Sequence, residues 1–395
     1  MREASHPSSA PIGALNEHLP SMYSAGKMFV YSFRIRANRR CRRTATVALG
    51  WTGLDGMNMA RVRLIDVAEL AGVSMKTVSN VVHNYPHVAP ALREKVQAAI
   101  DQLGYRPNLT ARRLATGKTG MIALAIPEID HPYFSELSRH IAEEATRRGY
   151  RVIIEQTLSD PVVERAVLSD REAGLVDGVI FHPVRMEALD IAKLDAGTPL
   201  VLLGEAAMPV MTDHVMIDNV SAALDATRHL LARGCRRIAF LGVIAADITG
   251  STNQRLLGYQ QGLVEAGVQL DPELVFTALE FTAEAGVRSV AEAIERGVRF
   301  DGVVCRDDRF AIGALKALHD SGRSVPGDVA VVGWDNTFLA AYTSPTLTSV
   351  APKKTAIVTA AFDLLEERIA GYRGVGRHVI VGHSLEVRES APLAP

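Results

Sequence analysis

Residues 63–82 read RLIDVAELAGVSMKTVSNVV, and the spacing of apolar side chains in this stretch decides the N-terminal architecture. Leu64, Ile65, Val67, Ala68 and Ala71 recur at helical spacing on one face, and Gly72 supplies a left-handed stop. Ser74 then caps a second helix running through Val82, with Val78, Val81 and Val82 turned inward. A loop containing Pro86 leads to a third helix of about 14 residues, which opens on Pro90 and buries Val96, Ile100 and Leu103. Three short helices with a Gly72-Val73 turn between the first two form a helix-turn-helix module over residues 61–106. A small bundle using the same turn for folding alone is the competing reading.

In a helix-turn-helix the second helix enters the major groove, so side chains near its start must reach base edges. Met75, Lys76 and Asn80 meet that demand. Lys76 donates to guanine or phosphate, Asn80 pairs with adenine through two hydrogen bonds, and Met75 offers apolar contact to a thymine methyl. Ser74 and Thr77 are placed to bind phosphate and fix register. The next segment, 107–119, has the parts of a hinge helix too short to be stable alone. Arg112 and Arg113 suit phosphates, and Leu114 suits an apolar wedge in the minor groove. A basic flexible linker is the alternative there.

Charge is distributed to match. Of 395 residues 48% are hydrophobic and 22% charged, with a formal net charge of −1. That total conceals +5 over residues 1–59, +5 over 60–119 and −11 over 120–395. A basic head on an acidic body docks one end on phosphates and keeps the rest away. Residues 1–60, rich in Ser, Pro, Arg and Gly, read as a disordered basic extension. Met57 and Met59, directly before the first patterned helix, raise the alternative that translation starts there. The extension carries no secretory signal, the apolar runs at 122–126 and 238–242 fall far short of the roughly 20 residues that span a bilayer, and Cys41, Cys235 and Cys305 lack metal or disulfide spacing. A cytoplasmic protein without membrane contact is the expectation.

After Gly120 apolar, β-branched runs alternate with amphipathic helices, the pattern of parallel sheets covered on both faces. Strands are predicted at 122–126, 152–155, 178–181, 200–203, 237–241, 302–305 and 329–332, and helices at 133–148, 220–233, 255–266 and 309–321. So many units call for two doubly wound lobes within 120–390, with a ligand cleft at the carboxyl ends of their strands. The first lobe is expected at 120–217 and 348–377, the second at 218–347 and 378–390.

The runs RLIDVAELAGVSMKTVSNVV, LREKVQAAIDQLGYRPN and ARRLATGKTG are similar to the head and hinge of the LacI/GalR family of repressors. IPEIDHPYFSEL, DGVIFHP, IDNVSAALDATRHLLARGCRRIAFLG, RLLGYQQGL, CRDDRFAIGALKAL and VPGDVAVVGWDN extend the resemblance in order over about residues 62 to 390. It implies a homodimer reading a pseudo-palindromic operator in double-stranded DNA, with Leu114 as the wedge, and a body of the periplasmic-binding-protein type that holds a small effector, first of all a sugar. The matching positions for that effector are Tyr133, Phe134, His182, Arg255, Asp307 and Asp335. Phe134 and Trp334 offer aromatic faces to a sugar's apolar side, and Asp308 reads as a cap for the helix it opens. The chain departs from the family in four places. Asn80 stands where many relatives carry Arg, Ala89 where a Ser cap is common, Gly204 where one sugar-binding member has Asp, and Asp307 where Asn is frequent. Without an added leucine heptad before Pro395, a tetramerising coiled coil is not expected.

Two other classes compete. A transport binding protein shares the body but needs a signal and has no use for the head. An enzyme on a doubly wound fold needs a motif such as GxGxxG, a P-loop, GxSxG or HExxH, and none is present in its context. His83 and His87 have metal-ligand spacing but are separated by Tyr85-Pro86. The sequence therefore calls for no cofactor, metal or catalytic residue.

Overall fold

The structure, a computed structural model, describes residues 62–82, 85–106, 118–169, 174–194, 199–205, 210–243 and 250–393. The expected extension, Cys41, His83 and the hinge residues Arg112, Arg113 and Leu114 lie outside them.

The head consists of α1 (Leu64–Ala71), α2 (Met75–Val82) and α3 (Pro90–Leu103). Gly72 takes φ 61° and closes α1, and Gly104 takes φ 62° and closes α3. The Ser74 hydroxyl accepts the Thr77 amide at 3.1 Å, which satisfies an orphan donor at the start of α2. Ala89 makes no side-chain cap, and Pro90 alone starts α3. Val67, Ala68, Ala71, Val78, Val81, Val96 and Ala99 are buried together, closed by Tyr105, which sequence periodicity did not single out. Ile65 is a correction. It faces out beside Glu69, four residues on, because the buried face of α1 is narrower than the run of apolar residues suggests.

The body has two six-stranded sheets. The first is ordered β11-β5-β4-β3-β1-β2, from β1 (Met121–Ile126), β2 (Arg151–Gln156), β3 (Gly178–Phe181), β4 (Leu200–Leu203), β5 (Asp213–Ile217) and β11 (His378–Val381). The second is ordered β12-β10-β9-β8-β6-β7, from β6 (Ile238–Val243), β7 (Val275–Thr277), β8 (Gly302–Cys305), β9 (Ala330–Trp334), β10 (Thr348–Pro352) and β12 (His383–Glu386). Among the described residues only β12, antiparallel to β10, breaks the parallel pattern. Between them run α4 (Pro132–Arg148), α5 (Pro161–Ser169), α6 (Ala188–Leu194), α7 (Asn219–Ala232), α8 (Gly250–Glu265), α9 (Ala283–Glu295), α10 (Asp308–Asp320) and α11 (Lys354–Ile369).

Successive strand side chains point to opposite faces, so each central strand feeds two cores. In β1, Ile122, Leu124 and Ile126 join one buried cluster while Ala123 and Ala125 join the other. In β4, Val201 and Leu203 turn one way and Leu200 and Leu202 the other. The second sheet repeats this with Ile238 and Phe240 against Ala239 and Leu241. Strand β2 is different. It is an edge strand with most of its residues exposed, so it is not covered as the sequence pattern predicts.

The lobe boundaries need correction. Residues 348–352 form β10 in the second sheet, paired with β9, and not the start of the first lobe's return. Residues 378–381 form β11 in the first sheet, paired in parallel with β5, and not the second lobe's tail. The chain thus crosses between lobes after β5, after β10 and at Gly382. At the other boundary Thr119, placed with the hinge by sequence, is already tied to the body, its amide donating to Asp177 at 2.6 Å.

Helices α7 and α8 pack at a distance only glycine allows. A Cβ on Gly258 would stand 2.1 Å from the Val220 carbonyl oxygen. Gly258→Ala is expected to force the helices apart and cost about 1–3 kcal/mol, read as a lowered thermal midpoint. An unchanged midpoint would mean that the pair tolerates a wider spacing.

Candidate ligand cleft and DNA-reading helix

On α2 the buried Val78 and Val81 face the head's core, leaving Met75, 52% exposed, and Lys76 on the open side, with Asn80 half-buried one turn beyond Lys76. Ser74 and Thr77 hydroxyls lie 2.9 Å apart on the same surface. The positions expected to read DNA therefore run along the open side of one helix, Met75 and Lys76 at its start and Asn80 one turn on, and a helix that enters a groove needs such a free side.

In each sheet the strand order reverses beside one strand: β2 and β3 flank β1, and β7 and β8 flank β6. At such a switch point the loops leaving the strands' carboxyl ends diverge and open a crevice. Tyr133 and Phe134 follow β1, His182 follows β3, Arg255 lies in the helix after β6, and Asp307 follows β8. These side chains and Asp335, after β9, line one cavity between the lobes.

Aromatic rings form one wall. Phe134 packs edge-on to Tyr133 at 5.2 Å, to His131 at 5.2 Å and to His182 at 4.9 Å between ring centres. His131 Nδ1 accepts the Tyr133 amide at 3.1 Å and caps α4, so in the neutral ring the proton sits on Nε2. That nitrogen faces the Asp307 carboxylate at 3.9 Å. Burial drives the His182 imidazole down to about 4, leaving it neutral near pH 7.

Charged groups form the other wall. Arg255 donates from Nε to Asn219 Oδ1 at 2.8 Å and from an Nη to the Arg306 carbonyl at 2.5 Å. Its guanidinium lies 4.2 Å over the Trp334 ring. Arg306 bonds to Asp307 at 2.9 Å and stacks on Phe281 at 3.9 Å, and Arg309 bridges to Glu128 of the first lobe at 3.0 Å. Burial pushes the carboxyls of Asp335 and Glu205 up, opposed in both by the Arg255 charge. Burial also pushes Asp307 up, but the adjoining His131 ring and the Arg306 guanidinium outweigh it and hold that carboxyl below the usual range.

Six of the seven residues expected at the effector site line the cavity; Trp334 does not. Its side chain is wholly buried, and it serves as the platform under Arg255, so the aromatic face it offers goes to a guanidinium and not to a ligand. The cap of α10 also differs from expectation. Asp307 accepts the Phe310 amide at 3.0 Å as N-cap, while Asp308 is the first helical residue and is buried. Sequence reasoning missed Glu205, His131, Arg306 and Arg309. Glu205 directly follows Gly204 and Arg306 directly precedes Asp307, both positions already examined, but chain position after a strand cannot tell which of two adjacent side chains turns inward. At Gly204 the structure explains the departure from the sugar-binding relative. The His182 ring fills the space, with Nε2 2.5 Å from where a Cβ would stand.

Comparison with known proteins bears on both parts. Residues 63–108 match the model for bacterial regulatory proteins of the lacI family, and residues 227–391 match that for the periplasmic binding protein-like domain. The chain is 32% identical over 330 residues to the HTH-type transcriptional regulator RegA of Clostridium saccharobutylicum, covering 82% of this chain and 98% of that one. Its structure is similar to a transcriptional regulator CelR–cellobiose complex (31% identity, TM-score 0.62, covering 84% of this chain and 100% of that one). It is also similar to the lac repressor dimer bound to operator and an anti-inducer (26% identity, TM-score 0.73, covering 84% and 99%). With a helix-turn-helix head, two parallel-sheet lobes and a relative at this identity over nearly its whole length, the chain belongs to the LacI/GalR family of DNA-binding transcriptional regulators.

Proposed function

We propose that this regulator is a repressor whose operator affinity is set by a small polar effector, a sugar or sugar derivative, held between the two lobes. The observation that carries this reading is the convergence of Tyr133, Phe134, His182, Arg255, Asp307 and Asp335 on one cavity at both switch points. Arginine and carboxylates each make paired hydrogen bonds to neighbouring hydroxyls, and the Phe134 cluster suits the apolar face of a pyranose. The CelR relative solved with cellobiose supports the sugar class.

On DNA, two copies of the chain read a pseudo-palindrome through Met75, Lys76 and Asn80, with Ser74, Thr77, Arg112 and Arg113 on phosphates and Leu114 inserted at the centre. The lac repressor dimer on its operator supports this arrangement. Ligand binding shifts the population of lobe angles, and with it the spacing of the paired hinges and heads.

Fluorescence anisotropy on DNA fragments around the protein's own gene, titrated with salt and then with a sugar panel, tests the reading. Tight, salt-sensitive binding to one pseudo-palindrome, altered by one sugar, is the expected result. Equal weak binding to every fragment of a genome-wide selection overturns it. Leu114→Ala is expected to lower affinity for the selected fragment by about 1–3 kcal/mol, of the order of a lost base contact, and to reduce its bending while nonspecific binding persists. Unchanged affinity and unchanged bending would remove Leu114 from the groove.

A further inference from the structure

Behind the cavity wall lies a carboxylate that touches no ligand position. Asp308 is 2% exposed and does not line the cavity. Its two oxygens accept three hydrogen bonds, from the Thr337 amide at 2.7 Å, the Thr337 hydroxyl at 2.9 Å and the Ser349 hydroxyl at 2.7 Å. Ser349 Oγ in turn accepts the Asn336 amide at 2.9 Å. All three donors belong to the turn 335–337 or to the strand that supports it.

That turn is unusual. Asp335 has φ 96° and Asn336 φ 44°, two consecutive non-glycine residues on the left-handed side, where side chains other than glycine are strained. Such a conformation persists only when its surroundings over-determine it. The neighbouring strand makes room for this: at Gly333 a Cβ would stand 2.4 Å from Asp308 Oδ1. Asp335, the first residue of the turn, lines the cavity, and its carboxyl lies within the influence of the Arg255 and His131 charges there. Resting on the reading of that cavity as the effector site, we propose that Asp308 is its positioning residue, holding the Asp335–Thr337 turn in the left-handed conformation that directs Asp335 at the ligand.

The Asp335 charge bears on Asp308. Burial and the adjacent Asp335 push Asp308 up to about 7, against the bonds from Ser349 and Thr337. Its own helix adds Asp307, and Cys305 of β8 also faces it, while Arg255, His131 and Lys354 face Asp335. On the outer side of the turn Arg388 bonds Asn336 Oδ1 at 2.7 Å and Lys354 bonds its carbonyl at 3.1 Å. A proton on Asp308 turns one of its oxygens into a donor, which the Thr337 amide cannot accept but the Thr337 or Ser349 hydroxyl can by reversing its bond.

Asp308→Asn keeps the shape and replaces one acceptor oxygen by a donor. Two ligand-free readouts apply to the full chain. One is amide exchange of the 334–338 segment, corrected for intrinsic pH dependence. The other is Trp334 emission between pH 5.5 and 8.5 in a Trp51→Phe background, Trp51 being the other tryptophan. In the parent, Trp334 emission is expected to titrate with a midpoint near 7. Asp308→Asn is expected to abolish that titration and speed exchange of the segment at least tenfold, with the thermal midpoint still that of a folded protein. Asp308→Glu, which keeps the charge, is expected to restore a titration. Unchanged exchange of the segment in Asp308→Asn overturns the proposal. The sugar panel separates this from the parent reading. A sugar that acts on the parent is expected to bind Asp308→Asn at least tenfold more weakly, at unchanged operator affinity. If no sugar acts on the parent while the turn behaves as stated, the sugar reading fails and the positioning role is supported.

Discussion

Arg255→Ala is expected to abolish the response to effector while leaving operator binding intact. The guanidinium makes three separate contributions: it satisfies Asn219 and the Arg306 carbonyl, stacks on Trp334, and opposes the burial cost of Glu205 and Asp335. Removing it deletes a ligand-facing donor and leaves buried acceptors without a partner. A hydrogen bond from a charged donor is worth about 1.5–3 kcal/mol, and buried acceptors left without one cost about 1–3 kcal/mol, so affinity for the effector is expected to fall at least roughly tenfold. Calorimetry with the active sugar, beside anisotropy on the operator, checks both halves. A variant that still responds at the parent's sugar concentration would remove Arg255 from the site. A variant that loses operator binding without any ligand would assign it to folding.

The second large effect is on stability. Asp213, wholly buried at the start of β5, accepts from Arg368 of α11 at 2.8 and 3.1 Å and from Arg377, ahead of β11, at 2.9 Å. Arg368 is itself only 9% exposed. Asp213→Asn strands that guanidinium, and breaking a buried pair in this way costs about 3–5 kcal/mol. Urea unfolding of the body should show it; a loss below about 1 kcal/mol would mean that water or relaxation reaches the site, as at exposed pairs. Burial raises the Asp213 carboxyl, but the two arginines outweigh it and hold it at about 2, below the roughly 3.9 of an unfolded chain. The depressed value sets the sign: the stabilisation is present above about pH 4 and is lost as pH falls toward 2. Asp213→Asn should flatten that part of the acid-unfolding curve.

The head was legible in the sequence nearly residue by residue, because glycine stops, a serine cap and a proline start are local signals. Its three helices lie at Leu64–Ala71, Met75–Val82 and Pro90–Leu103, as the pattern predicts. Strands with continuous apolar runs, such as β3 and β8, were equally plain. Strand β5, DHVMI, was not: its Asp213 and His214 look like loop residues until Arg368, 155 positions away, explains the carboxylate. The edge strand β12, HSLE, carries too little apolar pattern to register, and β11, HVIV, is a run of only three apolar residues behind a glycine-rich loop. At the cleft, the family resemblance pointed to six side chains that line the cavity, but burial depth could not be read from residue type. Trp334 looked like a ligand platform and lies beneath Arg255, and Asp308 looked like a cap and lies behind the wall.

The return of the chain to its first lobe has a consequence for biosynthesis. Ile180, Val201 and Leu203 of the first sheet are covered by Ile357, Phe362 and Leu365 of α11, and β11 closes that sheet's edge beside β5. A ribosome delivers α11 and β11 only after every strand of the second lobe but β12 has emerged. Through most of translation the nascent first lobe therefore presents a bare apolar face and an open sheet edge, a natural target for chaperones. The last forty or so residues complete both lobes almost together, so a truncation within them forfeits the older lobe as well as the tail.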